Sequence, residues 1–130
     1  MSRKRLIALS AALPLLFALT GAATVKSVTA VKDGHDPNIC FSAVEVTYAP
    51  GQGSKSHHHD ATILAYVLNG AIDSKVAGEP LRTFHPGEHF VEMPGVEHEV
   101  SRNASKTAPA TFLAVKLAHR GSEDAQACGI

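Results

Sequence analysis

GSKSHHHDATILAYVLNG, residues 53–70, sets three consecutive histidines against an apolar run and ends on Asn69-Gly70. Side chains on an extended chain alternate between its two faces, so His57 and His59 share one side and His58 takes the other. The face that carries His57 and His59 continues through Ala61, Ile63, Ala65 and Val67, and is apolar beyond the histidines. The stretch ATILAYVL (61–68) reads as a strand buried on both faces. Asn69-Gly70 reads as a two-residue hairpin turn, with AIDSKVA as the return strand.

The segments on either side have the same character. ICFSAVEVTYA (39–49) alternates, with Val44, Val46 and Tyr48 on one face and Glu45 and Thr47 on the other, as a half-buried strand does. PGQGS breaks it. Gly78-Glu79-Pro80 turns into LRTFH, Pro86-Gly87 into EHFVEM, and Pro94-Gly95 into EHEVSRN; ATFLAVKLA (110–118) closes the series. Seven or eight short strands and no amphipathic helix predict an all-β domain, an antiparallel sandwich or barrel, over residues 39–119. Residues 24–38 form a polar lead-in, and residues 120–130 a loose tail.

Residues 1–23 are of another kind. Arg3, Lys4 and Arg5 precede the apolar run LIALSAALPLLFAL, and TGAAT follows with small residues. This is the pattern of a secretory signal peptide, cut after Ala22 or Ala23. Its 14-residue apolar run is short beside the roughly 20 residues of a bilayer span. A periplasmic or secreted protein with no membrane segment after cleavage is expected. The whole chain is formally neutral, with 12 basic and 12 acidic residues, but three of the basic ones lie in the signal, which leaves a domain of net charge −3. That balance, without a basic patch, argues against nucleic acid as a partner. An oxidising compartment permits a disulfide between Cys40 and Cys128. The alternative is two free cysteines, one in a strand and one in the tail, and sequence does not supply the geometry that decides.

Two spaced motifs carry a resemblance. Gly51, five residues, His57-x-His59, then Tyr66-Val67-Leu68-x-Gly70 resembles the first motif of the cupins. Gly87, six residues, Pro94-Gly95, two residues, His98, four residues and Asn103 resembles their second. The likeness covers residues 41–118. It implies a single antiparallel jelly-roll β-barrel, and a divalent metal held by two histidines and a glutamate of the first motif with one histidine of the second. It also implies a small-molecule ligand or substrate, and a homodimer.

The residues themselves suit such a site. A pair at i and i+2 on a strand can face one ion, but a single strand cannot surround it, so a third ligand comes from elsewhere. His57, His59 and His98 are therefore the candidate metal ligands. Imidazoles suit Zn, Fe, Mn, Ni or Cu, and ligand type does not choose among them. The first-motif glutamate falls on Ile63, which cannot ligate. Glu92 shares a face with Phe90 and, if inward, is a substitute ligand or a general base; in a bulged strand it would lie outside. A buried carboxylate needs a cation or hydrogen bonds beside it. His35, His58, His85, His89 and His119 read as surface residues, Tyr66 as packing or a dimer contact, and Asn103 as a turn residue. Two functions follow: a metal-dependent, oxygenase-like enzyme on a small organic molecule, or a non-catalytic metal- or small-molecule-binding module. A barrel without metal is the third.

Overall fold

The alternation in residues 61–69 becomes a strand with one buried face, and its neighbours follow. The computed structural model describes residues 23–130, so the expected signal peptide lies outside the described residues apart from Ala23. The strands are β1 (Thr24–Lys32), β2 (Ile39–Tyr48), β3 (Gly53–Ser54), β4 (Ala61–Asn69), β5 (Ile72–Val76), β6 (Arg82–Phe84), β7 (His89–Glu92), β8 (His98–Asn103) and β9 (Ala110–His119). All pair antiparallel, in one sheet ordered β1-β2-β9-β4-β7 and another ordered β3-β8-β5-β6. The inner faces meet around Tyr48, Ile63, Val67, Ile72, Phe90 and Phe112. This is an antiparallel β-sandwich of two sheets, the all-β architecture expected from the sequence.

Two local expectations are corrected. Strand β4 is buried on one face only: Ala61, Ile63, Ala65 and Val67 are inside, while Leu64, Tyr66 and Leu68 are 39%, 41% and 44% exposed. Asn69-Gly70 is not a hairpin turn. Both edges of β4 are already taken by β9 and β7, so the chain leaves that sheet and β5 joins the other. Gly70 makes the corner with φ of 72°, and a Cβ there would lie 2.8 Å from Ala110 Cβ and from the Pro109 carbonyl.

The lead-in and the tail are both structured. Residues 24–32 form edge strand β1 along β2, with a register shift between Ser27 and Thr29. Its valines, Val25, Val28 and Val31, recur every third residue, out of phase with a strand's period of two, and all nine positions are exposed. The tail forms a short 3-10 helix, Glu123–Cys128, whose first turn is capped by the Ser122 hydroxyl accepting from the Ala125 N–H. Ala125 is fully buried, and Cys128 is disulfide-bonded to Cys40 of β2 across 88 residues of sequence. A cross-link over so long a loop restricts the unfolded chain and stabilises the fold by about 2–4 kcal/mol.

Asn103 is more than a turn residue. It is buried, and its side-chain N–H groups reach the carbonyls of Tyr48 (3.4 Å), Ala49 (3.2 Å) and Ala108 (2.7 Å), while its carbonyl accepts from the Ser105 N–H. One amide thus ties the ends of both sheets. Asn103→Ala should cost about 1–3 kcal/mol, because buried acceptors lose their donor. Urea unfolding should show a lower midpoint at an unchanged slope; an unchanged midpoint would remove this role.

Candidate metal centre

His57 enters the site through its backbone. It forms an isolated antiparallel bridge with His98, the first residue of β8. The His98 N–H donates to the His57 carbonyl at 2.7 Å, and the His57 N–H to the His98 carbonyl at 3.3 Å. Directly opposed residues put their side chains on the same face, and the two rings stand 5.2 Å apart. His59, two residues on, returns to that side with its ring 5.0 Å from that of His57, edge to face. His58 points outward, with its side chain 60% exposed and Nδ1 3.7 Å from Glu97.

The carboxylate arrives from another strand. In the pairing of β4 with β7, Ile63 lies opposite Glu92, and on the other side of β4 it lies opposite Lys116 of β9. Glu92, Ile63 and Lys116 therefore form one row across the inner face. Glu92 is 5% exposed, which places it inside rather than on a bulge. One ligand atom from each of His57, His59 and Glu92 lies within 4.8 Å of the others. Donors on one ion are at most about 4.2 Å apart, twice a bond of about 2.1 Å, so these three are close to ligating separations.

His98, the third expected ligand, lines the same cavity and is 2% exposed; the ligand atoms that converge within 4.8 Å come from His57, His59 and Glu92. The Nε2 of His98 is 2.8 Å from the Ser74 hydroxyl, and its Nδ1 is 3.1 Å from Glu92 Oε1. That approach does not make a hydrogen bond: His98 Nδ1 and Glu92 Oε2 are both buried without a hydrogen-bond partner. Two orphaned polar atoms at one spot are costly in a folded protein. A divalent cation against the carboxylate would satisfy Glu92 Oε2, so the donor set fits a metal.

Neighbouring groups orient the rings. His57 Nδ1 lies 2.7 Å from the Lys55 carbonyl. A carbonyl only accepts, so Nδ1 carries the proton and Nε2 keeps a lone pair for an ion. His59 Nδ1 faces Asp124 of the tail helix at 3.5 Å. Burial pushes the His59 pKa down, against the opposing pull of the Asp124 and Glu92 charges, with Lys116 and His57 also lowering it. Burial acts to raise the Asp124 carboxyl, but the hydrogen bond and charge of Lys116, with His59 and the Asp60 N–H, outweigh it and hold the carboxyl below its usual range. Lys116 donates to Asp124 at 2.8 Å.

His57, His59, Glu92, His98 and Lys116 line a cavity of about 230 Å³ whose other walls include Val25, Val44, Val46, Tyr48, Phe112 and Ala114. His35, His85, His89 and His119 are exposed and away from it, and Tyr66 lies on the outer face of β4. Sequence reasoning missed Ser74, Lys116 and Asp124. Lys116 left a signal: it falls in phase with Phe112, Ala114 and Ala118, on the inward side of β9. Asp124 left none, since the tail has no period.

The chain is similar to known proteins in family and in fold. A family model described as Cupin domain matches residues 44–116, more than half of the chain. No curated protein matches it in sequence. Among solved structures, a DMSP lyase from Ruegeria pomeroyi is 24% identical with a TM-score of 0.53 over 58% of this chain; the match spans only 37% of that protein's length. An uncharacterised conserved protein with a double-stranded β-helix domain from Klebsiella pneumoniae is 20% identical with a TM-score of 0.62, over 79% of this chain and 82% of that one. An oxalate oxidase in complex with the substrate analogue glycolate is 23% identical with a TM-score of 0.58, over 72% of this chain and 50% of that one. At these identities the likeness is one of fold.

The lowered His59 pKa has a consequence for stability. The folded value lies below the ordinary 6.5, so between the two the unfolded chain binds more protons and acid favours unfolding. Metal-free protein should lose stability as pH falls through about 6.5, and His59→Asn should flatten that slope in urea titrations. An equal slope in both proteins would show that His59 does not contribute.

Proposed function

The chain belongs to the cupin domain family, and from that premise we propose that it is an exported, metal-dependent enzyme of oxygenase type acting on a small organic molecule. One observation carries this reading: His57, His59 and Glu92 converge in the wall of a mostly apolar cavity. Two imidazoles and one carboxylate are the donor set with which proteins hold non-haem iron(II) while leaving positions open. When bound there, a divalent ion supplies a Lewis acid that polarises a coordinated oxygen.

The chain's own residues do the rest. His57 and His59 offer neutral nitrogens, and Glu92 supplies the negative charge that Ile63 cannot. In this reading Glu92 is a ligand rather than a free base. His98, hydrogen-bonded to Ser74, packs beside the carboxylate with Nδ1 3.1 Å from Oε1. The walls around Val44, Val46 and Phe112 exclude water and seat the apolar body of a ligand smaller than most drug-sized molecules.

Export is supported by the charged-then-apolar pattern of residues 1–23 and by the Cys40–Cys128 bond, since disulfides persist in oxidising compartments. A homodimer is supported by the outer face of β4 and β7, which exposes Leu64, Tyr66, Leu68 and Val91 together.

Metal analysis of protein purified without an affinity tag tests the reading. About one equivalent of a transition metal is expected, falling to background in His57→Ala and Glu92→Gln. Unchanged metal content in Glu92→Gln would overturn its role as a ligand. Oxygen consumption with iron(II) and a panel of small organic molecules then tests turnover, and binding without consumption would leave a binding module. Light scattering should give twice the chain mass; a monomeric mass would refute the dimer.

A further inference from the structure

We propose that Asp124 is a positioning residue for His59, carried to the metal centre by a C-terminal segment that the Cys40–Cys128 disulfide clamps to the barrel. This rests on reading His59 as a metal ligand. The two motif histidines are oriented by different means. His57 is held locally, by the Lys55 carbonyl two residues away. His59 has Asp124 Oδ2 3.5 Å from its Nδ1, a group from the far end of the chain. A carboxylate at Nδ1 favours the proton there, leaves Nε2 as the donor to an ion, and fixes the ring's direction; losing such a partner typically weakens metal binding ten- to a hundredfold.

Asp124 is itself fixed. Its Oδ1 accepts from Lys116 Nζ at 2.8 Å, and its Oδ2 accepts from the Asp60 N–H at 3.2 Å. Both bonds tie it to β9 and to the start of β4, the strands that flank the site. Its side chain is 11% exposed, so this is a seated contact and not a surface pair. Yet the segment that carries it is a six-residue 3-10 helix, too short to persist by its own backbone bonds. Two attachments hold it down: the buried Ala125, one residue after Asp124, and the disulfide from Cys128 to the fully buried Cys40. The covalent clamp and the orienting carboxylate therefore lie within one short helix, and the bond at its end sets how firmly Asp124 is presented to His59.

The test uses the full chain without a tag, stripped of metal, with Co²⁺ as the probe in competition with a chelator. Asp124→Ala should weaken Co²⁺ binding ten- to a hundredfold, and Asp124→Asn, which keeps the shape, should weaken it as well. Cys40→Ala with Cys128→Ala should weaken binding in the wild-type background and add nothing in the Asp124→Ala background. Long-range ¹H–¹⁵N spectra of the metal-free protein give a readout that lost packing alone would not move. His59 should be in the Nδ1–H form in the wild type and shift to a mixture of tautomers in both sets of variants. Wild-type Co²⁺ affinity and tautomer in Asp124→Ala would overturn the proposal. Additive effects of the cysteine and Asp124 substitutions would overturn the role of the disulfide. A wild-type protein that takes up no Co²⁺ would instead sink the metal reading, and the tautomer spectra would then decide the Asp124–His59 pairing alone.

Discussion

The register between β4 and β7 is the constraint on which the site depends. Ile63 sits opposite Glu92, so the carboxylate lies on the inner face, next to the position where the first cupin motif has its glutamate. A slip of one residue would turn Glu92 to solvent and bring a neighbour inward. The apolar residues Ala61, Ile63, Ala65 and Val67, all buried, prevent that slip, because it would expose the whole set. The hydrophobic face of one strand thus fixes the location of a charge on the next.

The same row continues to Lys116 across β9. Glu92 and Lys116 flank Ile63, one from each side, and Lys116 is bound to Asp124. The inner face at this level therefore holds an acid, an aliphatic residue and a base, where a ligating glutamate on β4 would put its charge in the middle. A buried carboxylate without a compensating partner is unfavourable, and Glu92 Oε2 has none among the protein's hydrogen bonds. The histidines beside it are what make a bound cation the natural resolution.

The sequence was legible where its pattern was local. The turns at Pro86-Gly87 and Pro94-Gly95, the alternation of β2, and the side-sharing of His57 and His59 all follow from the period of an extended chain. It misled where pairing was at stake. Asn69-Gly70 has hairpin chemistry, yet β4 and β5 belong to different sheets, because both edges of β4 are occupied by strands distant in sequence. β1 escaped notice because a register shift breaks its phase. The approach of His98 Nε2 to the Ser74 hydroxyl was not legible either, because Ser74 comes from a different strand and has no local pattern that pairs it with His98.

By itself the sequence determined an all-β domain, its family, and that His57 and His59 share a face. These are properties of short windows, set by side-chain period and turn chemistry. The tertiary structure alone decided that Glu92 points inward, that His98 packs beside the carboxylate, that Cys40 meets Cys128, and that Asp124 reaches His59. Each of those joins residues far apart in the chain, and their meeting is governed by strand register and sheet order, quantities that no local pattern encodes.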